Sequence, residues 1–197
     1  MKTRSVAKAN PSRHARAHPG SRTARASDKY QRILEAAVVV IAESGYFRAR
    51  VTDIAARAGV ADGTIYLYFK NKEQILMAAI DSAFAGFLQR ARAELETIGE
   101  PRERLLALAR LHLEGLGANR SLAVVFQTEL RQSAKFLAQF SHRRLVEYFD
   151  LIRAVVRQGQ EAGVFRRDLS DKIAANCFFG ALDEMVTSWV LSEHDYP

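Results

Sequence analysis

Apolar residues recur at helical spacing along nearly the whole chain after Ser27, and this pattern constrains the fold more than any other feature. The first segment carries five apolar residues that recur three and four positions apart and so share one buried helical face: Ile33, Leu34, Ala37, Val38 and Ile41. We expect Ser27 to cap this helix and Gly45 to lie near its end. Beyond short β-branched runs the chain offers no strand candidates, so the sequence predicts an all-α protein.

A second, shorter helix ends at a glycine and gives the first functional signal. Its apolar residues again follow the i, i+3, i+4, i+7 rule: Val51, Ile54, Ala55 and Ala58. Gly59 follows at the position where helices often end. The small alanines allow another helix to cross closely above this one. A helix, a short glycine turn and a further short helix are typical of the DNA-binding helix-turn-helix.

The next stretch, VADGTIYLYFKNKE at residues 60–73, fits two structures. Asp62-Gly63 is a frequent hairpin dipeptide, and β-branched and aromatic residues follow it. A strand here would have no partner of matching pattern, whereas a helix would turn Ile65 and Phe69 towards the alanine face of the preceding helix. We therefore predict a helix, which leaves its tyrosines at the surface.

The side chains on this predicted surface suit contact with DNA. A tyrosine offers a hydroxyl group to a phosphate and a flat apolar body to a sugar or a thymine methyl group. Gly63 would let the backbone approach DNA closely at a helix start, where N–H groups favour an anion. Lys70 and Lys72 flank the next helix start, which we expect Asn71 to cap. Each residue alone is as readily a plain surface residue, and it is their clustering that favours DNA binding.

Positive charge is concentrated at the N-terminus. Residues 1–26 contain seven basic residues and no acid, which equals the net charge of +7, while the other 171 residues balance 22 basic with 22 acidic residues. Large apolar side chains are scarce in this segment, so we predict that it is disordered. It is a basic arm for phosphate backbones, a solubilising tail or a misassigned start, and an organellar transit peptide has a similar composition.

Composition excludes several other classes. With 48% hydrophobic and 26% charged residues the chain is globular, and no apolar run reaches the roughly 18 residues of a membrane span. Cys177 is the single cysteine, so a disulfide or a cysteine-ligated metal site within one chain is excluded; we interpret it as an inert small hydrophobe of a cytoplasmic protein. The histidines show neither metal spacing nor a nearby nucleophile, so we expect no metal site and no enzyme.

The segment VTDIAARAGVADGTIYLYFKNKEQIL, residues 51–76, resembles the DNA-binding domain of the TetR family of bacterial transcriptional regulators. The resemblance implies that these residues contact DNA: Thr52, Asp62, Gly63, Thr64, Tyr66, Tyr68 and Lys72. Lys70 joins them through its place beside the helix start. Ala61 departs from the family, where a capping Ser or Thr is common, so Asp62 acts as the cap, as a selector against wrong bases, or as both.

Five further helices are predicted in the rest of the chain, at about residues 73–96, 101–117, 121–133, 136–160 and 170–190. Within them, residues 126–137 and 178–196 are similar to the TetR branch that controls fatty-acid degradation and responds to long-chain acyl-CoA. This resemblance implies a dimeric repressor that leaves its palindromic operator when acyl-CoA binds, with no cofactor. The alternatives are a TetR-type repressor for another hydrophobic molecule, or a lipid-binding protein without DNA function.

Three parts follow from these patterns: a disordered basic tail (1–26), a helix-turn-helix domain (27–72) and a helical effector-binding and dimerisation domain (73–197).

The ligand would need an apolar tunnel with a basic rim. Apolar residues at helical spacing more often form plain core; the candidate tunnel residues are Phe84, Phe87, Leu88, Leu111, Val125, Phe126, Leu130, Leu145 and Phe149. Arg131 binds either a phosphate or a buried acidic partner.

The last two helices have broad apolar faces that a twofold dimer interface would bury. The residues we assign to that interface are Phe178, Leu182, Met185 and Trp189. As the large aromatic residues, Phe178 and Trp189 are the expected anchors. The alternative is that they close the core of their own protomer.

Overall fold

The computed structural model describes residues 19–132 and 144–192, and these residues form helices and connecting turns without a strand. The all-α prediction is therefore confirmed. The helices are α1 (Pro19–Ser44), α2 (Val51–Ala58), α3 (Asp62–Ile65), α4 (Lys72–Thr97), α5 (Pro101–Gly117), α6 (Arg120–Val124), a π-helical turn (Val125–Glu129), α7 (Leu130–Gln132), α8 (Val146–Glu161) and α9 (Asp171–Leu191).

The start of α1 was predicted wrongly. The helix begins at Pro19, and Ser27 lies inside it instead of capping it. A proline is well tolerated in a first helical turn, because its missing N–H would have no partner there. The predicted disorder of residues 19–26 is thus incorrect, while residues 1–18 lie outside the described part of the chain.

Gly45, Gly59 and Asn71 end and begin helices of the N-terminal unit as the sequence predicts. Gly45 and Gly59 both adopt positive φ, at 78° and 66°, and close α1 and α2. Asn71 caps α4 by accepting a hydrogen bond from the Gln74 backbone N–H at 2.9 Å. Helix α3 is only four residues long and continues as turns whose N–H groups donate to the Ile65 carbonyl. The segment is therefore helical and not a hairpin.

Two large apolar clusters hold these helices together. The first joins the inner faces of α1, α2 and α3 to the beginning of α4, and it also contains Val125 and Leu130. The second joins the later part of α4 to α5, α8 and α9, around Leu108, Tyr148 and Ile152. Since Val125 and Leu130 belong to the first cluster, the N-terminal unit shares its core with the helices that follow α5.

The turn between α8 and α9 depends on close packing at a glycine. A Cβ atom on Gly159 would lie 2.0 Å from Cδ2 of the Phe165 ring. Gly163 then takes a positive φ of 73°, and Ser170 caps α9 by accepting a hydrogen bond from the Ile173 N–H. Only a residue without a side chain fits beneath Phe165, so Gly159 fixes how α8 meets this turn.

Candidate DNA interface and effector cavity

The helix-turn-helix presents one exposed polar face and one buried apolar face. Ile65 and Phe69 are buried against α1 and α2, as their spacing predicts. Most of the predicted DNA-contact residues are exposed: Thr52, Asp62, Gly63, Tyr66 and Lys70. Thr64 is half-buried. These side chains are free to approach a nucleic acid, and their contact with DNA stays a prediction.

Asp62 does not cap α3. The N-cap position belongs to Ala61, which makes no side-chain capping hydrogen bond, and Asp62 lies in the first turn of the helix. A carboxylate there is favoured by the helix dipole without bonding to the backbone. Of the interpretations of Asp62, the cap is therefore wrong, and a role in rejecting unsuitable DNA remains.

Tyr68 is held by the protein more closely than the sequence implies. Its hydroxyl group donates to the Ala26 carbonyl of α1 at 3.4 Å, and its ring packs edge-on against Tyr30 at 5.9 Å between centroids. The side chain is half-buried. Tyr68 therefore connects α3 and the turns that follow it (residues 62–69, the recognition segment) to α1. Tyr66 is the more exposed of the two tyrosines.

Lys72 does not point its charge outward, contrary to its predicted role as a phosphate ligand. Its Nζ donates to the backbone carbonyls of Tyr46, Phe47 and Ala49 in the loop between α1 and α2, and it lies 4.5 Å from the centroid of the Tyr46 ring. Burial lowers the pKa of Lys72. An ammonium group has three N–H donors, and all three are used. In this structure Lys72 therefore stabilises the loop between α1 and α2.

Leu67 is a residue that the sequence argument passed over. It lies between the two tyrosines and is 82% exposed. An apolar side chain at this place suits the methyl group of thymine better than a phosphate. The sequence contains a signal for this exposure. In a helix that buries Ile65 and Phe69, residue 67 lies on the opposite, outward side.

A cavity of about 420 Å³ lies between α4, α5, α6, the π-helical turn, α7, α8 and α9. This size is within the range of small-molecule sites. Most of its wall is apolar, and the lining residues are Ala83, Phe84, Phe87, Arg90, His112, Gly115, Leu116, Leu122, Phe126, Gln127, Leu130, Arg131, Leu145, Tyr148, Phe179 and Asp183.

The predicted tunnel residues divide into two groups. The structure places Phe84, Phe87, Phe126, Leu130, Arg131 and Leu145 on the cavity wall. Four others do not line it, namely Leu88, Leu111, Val125 and Phe149, because they pack into the two apolar clusters. Their assignment to the tunnel was wrong. Helical spacing alone cannot separate a wall residue from a core residue one turn away.

Arg131 forms an ion pair, as one of its two interpretations predicts. Its acidic partner lies far along the chain and not beside it in the sequence. Its guanidinium binds the carboxylate of Asp183 on α9. Asp183 also accepts a hydrogen bond from Gln127 Nε2 at 2.9 Å, and Gln127 in turn accepts one from Thr187. The Arg131 side chain is partly exposed, so the pair is not fully buried. This network forms the polar side of the cavity.

Arg90 and His112 are further polar residues of the wall that the sequence did not single out. Arg90 is exposed and has no ion-pair partner within the described ranges. His112 is only 7% exposed, and burial lowers its pKa to about 4, partly opposed by the negative charge of Asp183. Among residues 19–132 and 144–192, no group of three or more His, Cys, Asp or Glu side chains could hold a metal ion.

The last helix has both an inward and an outward face. Trp189 and Leu182 are buried within their own protomer, and Arg120 lies over the Trp189 ring. Phe178 is half-buried against the second cluster. Of the four predicted interface residues only Met185, 44% exposed, lies outward. The other exposed residues of α9 include Ile173, Cys177, Gly180, Ala181, Glu184 and Ser188.

Two of these positions correct the sequence interpretation. Trp189 was expected to anchor a dimer and instead closes a small core with Ala123, Val186 and Val190. Cys177, which we interpreted as an inert small hydrophobe, is exposed. Both positions have one explanation: α9 is apolar around most of its circumference, so its sequence does not show which side faces the protomer.

A helix-turn-helix whose core continues into a helical body with an apolar cavity defines a ligand-responsive DNA-binding regulator. Residues 33–79 match the family model for "Bacterial regulatory proteins, tetR family", and residues 80–197 match the one for "YsiA-like protein, C-terminal region". The chain belongs to the TetR family of bacterial regulators. None of the described helices is both long enough and apolar enough to cross a membrane.

Relatives within this family are similar over most of their length. The chain is 39% identical to the fatty acid metabolism regulator protein of Bacillus subtilis (strain 168), covering 85% of this chain and 87% of that one. Among solved structures, FadR of Bacillus halodurans has a TM-score of 0.80 and 41% identity, over 85% of this chain and 88% of that chain. FadR of Bacillus subtilis in complex with stearoyl-CoA has a TM-score of 0.79 and 38% identity, over 84% and 90%.

Proposed function

We propose that this protein is a dimeric repressor of fatty-acid degradation genes that a long-chain acyl-CoA releases from its operator. The observation that carries this proposal is the apolar cavity in the helical body that follows the helix-turn-helix, in a chain whose 38% identical relative was solved with stearoyl-CoA. The proposed parts are the helix-turn-helix up to residue 72, which binds DNA, and the helices beyond it, which bind the effector and dimerise. No enzymatic step belongs to this function, and its place is the cytoplasm.

The polar part of the effector would meet cations at the cavity wall. Arg90 is the candidate for the phosphates of the coenzyme, because it is exposed and has no acidic partner in the described ranges. Arg131 is less available, since Asp183 already neutralises it. Exchange of Arg90 for Gln should therefore weaken binding of acyl-CoA, which carries the phosphates, and leave binding of the free fatty acid almost unchanged.

The π-helical turn is the proposed route from the cavity to the DNA-binding unit. Phe126 and Gln127 line the cavity, whereas Val125 lies in the core shared with α1 and α4. Glu129 Oε2 accepts a hydrogen bond of 2.8 Å from the Tyr46 backbone N–H, just after α1 ends. A ligand that displaces Phe126 would thus act on the unit that holds the recognition segment. By linkage, operator DNA must weaken effector binding by the same factor.

The two DNA-binding units of a dimer must face two half-sites separated by about one DNA turn. We assign the dimer contact to the outward face of α9 around Met185, in place of the buried Trp189. Effector binding then shifts the dimer from a conformation in which the spacing of the two DNA-binding units fits the operator to one in which it does not.

Titration of acyl-CoAs of several chain lengths against a complex with DNA from upstream of its own gene tests the proposal. Acyl-CoA is expected to lower operator affinity. If a different hydrophobic compound lowers it and no acyl-CoA does, the protein is a repressor with another effector. If acyl-CoA binds but no upstream duplex is bound at low salt, the protein is a lipid-binding protein without DNA function, and the repressor proposal fails.

A further inference from the structure

His112 brings a buried hydrogen-bonding atom to the cavity wall without a partner. The residue lies on α5, and its Nε2 is inaccessible to solvent and finds no hydrogen-bond partner in the described ranges. Its other ring nitrogen, Nδ1, lies 3.3 Å from the hydroxyl oxygen of Tyr148 on α8. An unpaired buried polar atom is costly, so its retention in an otherwise apolar wall calls for an explanation.

The pairing with Tyr148 determines which hydrogen-bonding role Nε2 has. Burial keeps His112 neutral near pH 7, so its ring carries one proton, and burial also raises the pKa of Tyr148, which stays protonated. The Tyr148 hydroxyl group has no other acceptor among the described residues, and we therefore assign it as the donor to His112 Nδ1, which leaves fewer hydrogen-bonding atoms unpaired than the reverse direction. The ring proton is then on Nε2. His112 therefore carries an unpaired N–H donor within the cavity wall, which is covered in this structure and which a ligand reaches when the surrounding aromatic rings shift.

The surroundings select the kind of acceptor. Asp183 lies on the same cavity wall, and its negative charge acts on His112. Burying a free carboxylate in this mostly apolar wall is costly unless a cation pairs with it, and Arg131 of the same wall is already engaged by Asp183. The other neighbours of the histidine ring are Phe87, Tyr148 and Phe179. A neutral carbonyl oxygen satisfies the donor without adding negative charge.

We infer that His112 Nε2–H binds the thioester carbonyl oxygen of the effector and makes the cavity prefer an acyl thioester to a free fatty acid or an alkyl chain. This inference rests on the proposed acyl-CoA function and adds the residue that recognises the functional group. Tyr148 is the positioning residue, since its hydrogen bond holds the proton on Nε2.

The test compares palmitoyl-CoA with S-hexadecyl-CoA, a thioether that lacks only the carbonyl oxygen, by calorimetric titration of the full-length protein. The wild type is expected to bind the thioester roughly 5–30-fold more tightly, which is the usual effect of one hydrogen bond to a buried donor. His112→Phe keeps an aromatic ring and removes the donor, so it should bind both compounds equally.

Two amide side chains of different length, Gln and Asn, provide matched controls that do not depend on the Phe variant. The amide nitrogen of Gln reaches about as far as Nε2 of histidine, so His112→Gln should keep the preference for the thioester. His112→Asn does not reach that far and should lose it. Equal binding of both compounds by the wild type, or a preference that survives in the Phe and Asn variants, would refute the inference and leave the repressor function intact. Failure of the wild type to bind either CoA compound would refute the proposed effector as well.

Discussion

Exchange of Lys72 for Met tests whether this lysine stabilises the fold or binds DNA. The ammonium group of Lys72 donates to three carbonyls of the loop between α1 and α2 and lies over the Tyr46 ring. A hydrogen bond from a charged group contributes about 1.5–3 kcal/mol. Water can rehydrate the partly exposed carbonyls, so we expect a total loss of about 2–3 kcal/mol. For a chain of this size that loss lowers Tm by about 4–12 °C.

Lys70→Met is the matched control, because Lys70 is two residues away and exposed. Thermal unfolding at equal protein concentration measures stability, and fluorescence anisotropy at several salt concentrations measures binding to a duplex from upstream of the gene. Loss of one phosphate contact per subunit lowers the slope of log K against log[salt] by about 0.9, or about 1.8 for a dimer. We expect that change for Lys70→Met, with Tm unchanged, and the reverse for Lys72→Met. A reduced slope and an unchanged Tm in Lys72→Met would show that Lys72 binds phosphate and that the loop does not need it.

Four further changes test other parts of the structure. Gly159→Ala would force a Cβ into the Phe165 ring and should destabilise the protein by about 1–3 kcal/mol in denaturant unfolding, whereas Gly117→Ala, with nothing within 4 Å, should be neutral or slightly stabilising. Since burial lowers the pKa of His112 from 6.5 to about 4, the unfolded chain takes up its proton first, and stability should fall by about 3 kcal/mol as pH drops from above 6.5 to 4; His112→Phe should remove this part of the pH dependence, and an unchanged profile would contradict it. Glu129→Ala should reduce the effect of effector on operator affinity by about 0.5–2 kcal/mol, while the Gln variant, which keeps an acceptor for the Tyr46 N–H, should retain it. Met185→Asp should shift the dimer towards monomer in analytical ultracentrifugation without lowering helicity, and an unchanged mass would place the interface elsewhere.

The sequence predicts the DNA-binding unit well because local signals agree there. Gly59, Asn71 and the spacing of Ile65 and Phe69 each determine one feature of a short segment, and the structure confirms all three. The sequence did not predict the position that the Lys72 ammonium group takes on the loop carbonyls. Its partners lie in the loop near residues 46–49, and no local rule predicts a contact across that distance in the chain.

The effector half is less predictable because its helices are apolar on several sides. Phe84 and Leu88 lie one turn apart on α4, yet the first lines the cavity and the second is buried in the core. The partners of Arg131 and His112 come from α9 and α8, far along the chain, so neither pair has a sequence signature. Which side of α9 faces outward also depends on tertiary packing, and this is why Trp189 was assigned to the wrong surface.

The π-helical turn limits how such regulators can be recombined. Within five residues it supplies Val125 to the core of the DNA-binding unit, Phe126 to the cavity and Glu129 to the end of α1. A chimera that joins this DNA-binding unit to a foreign effector body at residue 72 would leave those contacts behind. A working hybrid sensor would have to include the π-helical turn and Leu130 together with the DNA-binding unit. Part of the original cavity wall would then be present in the hybrid.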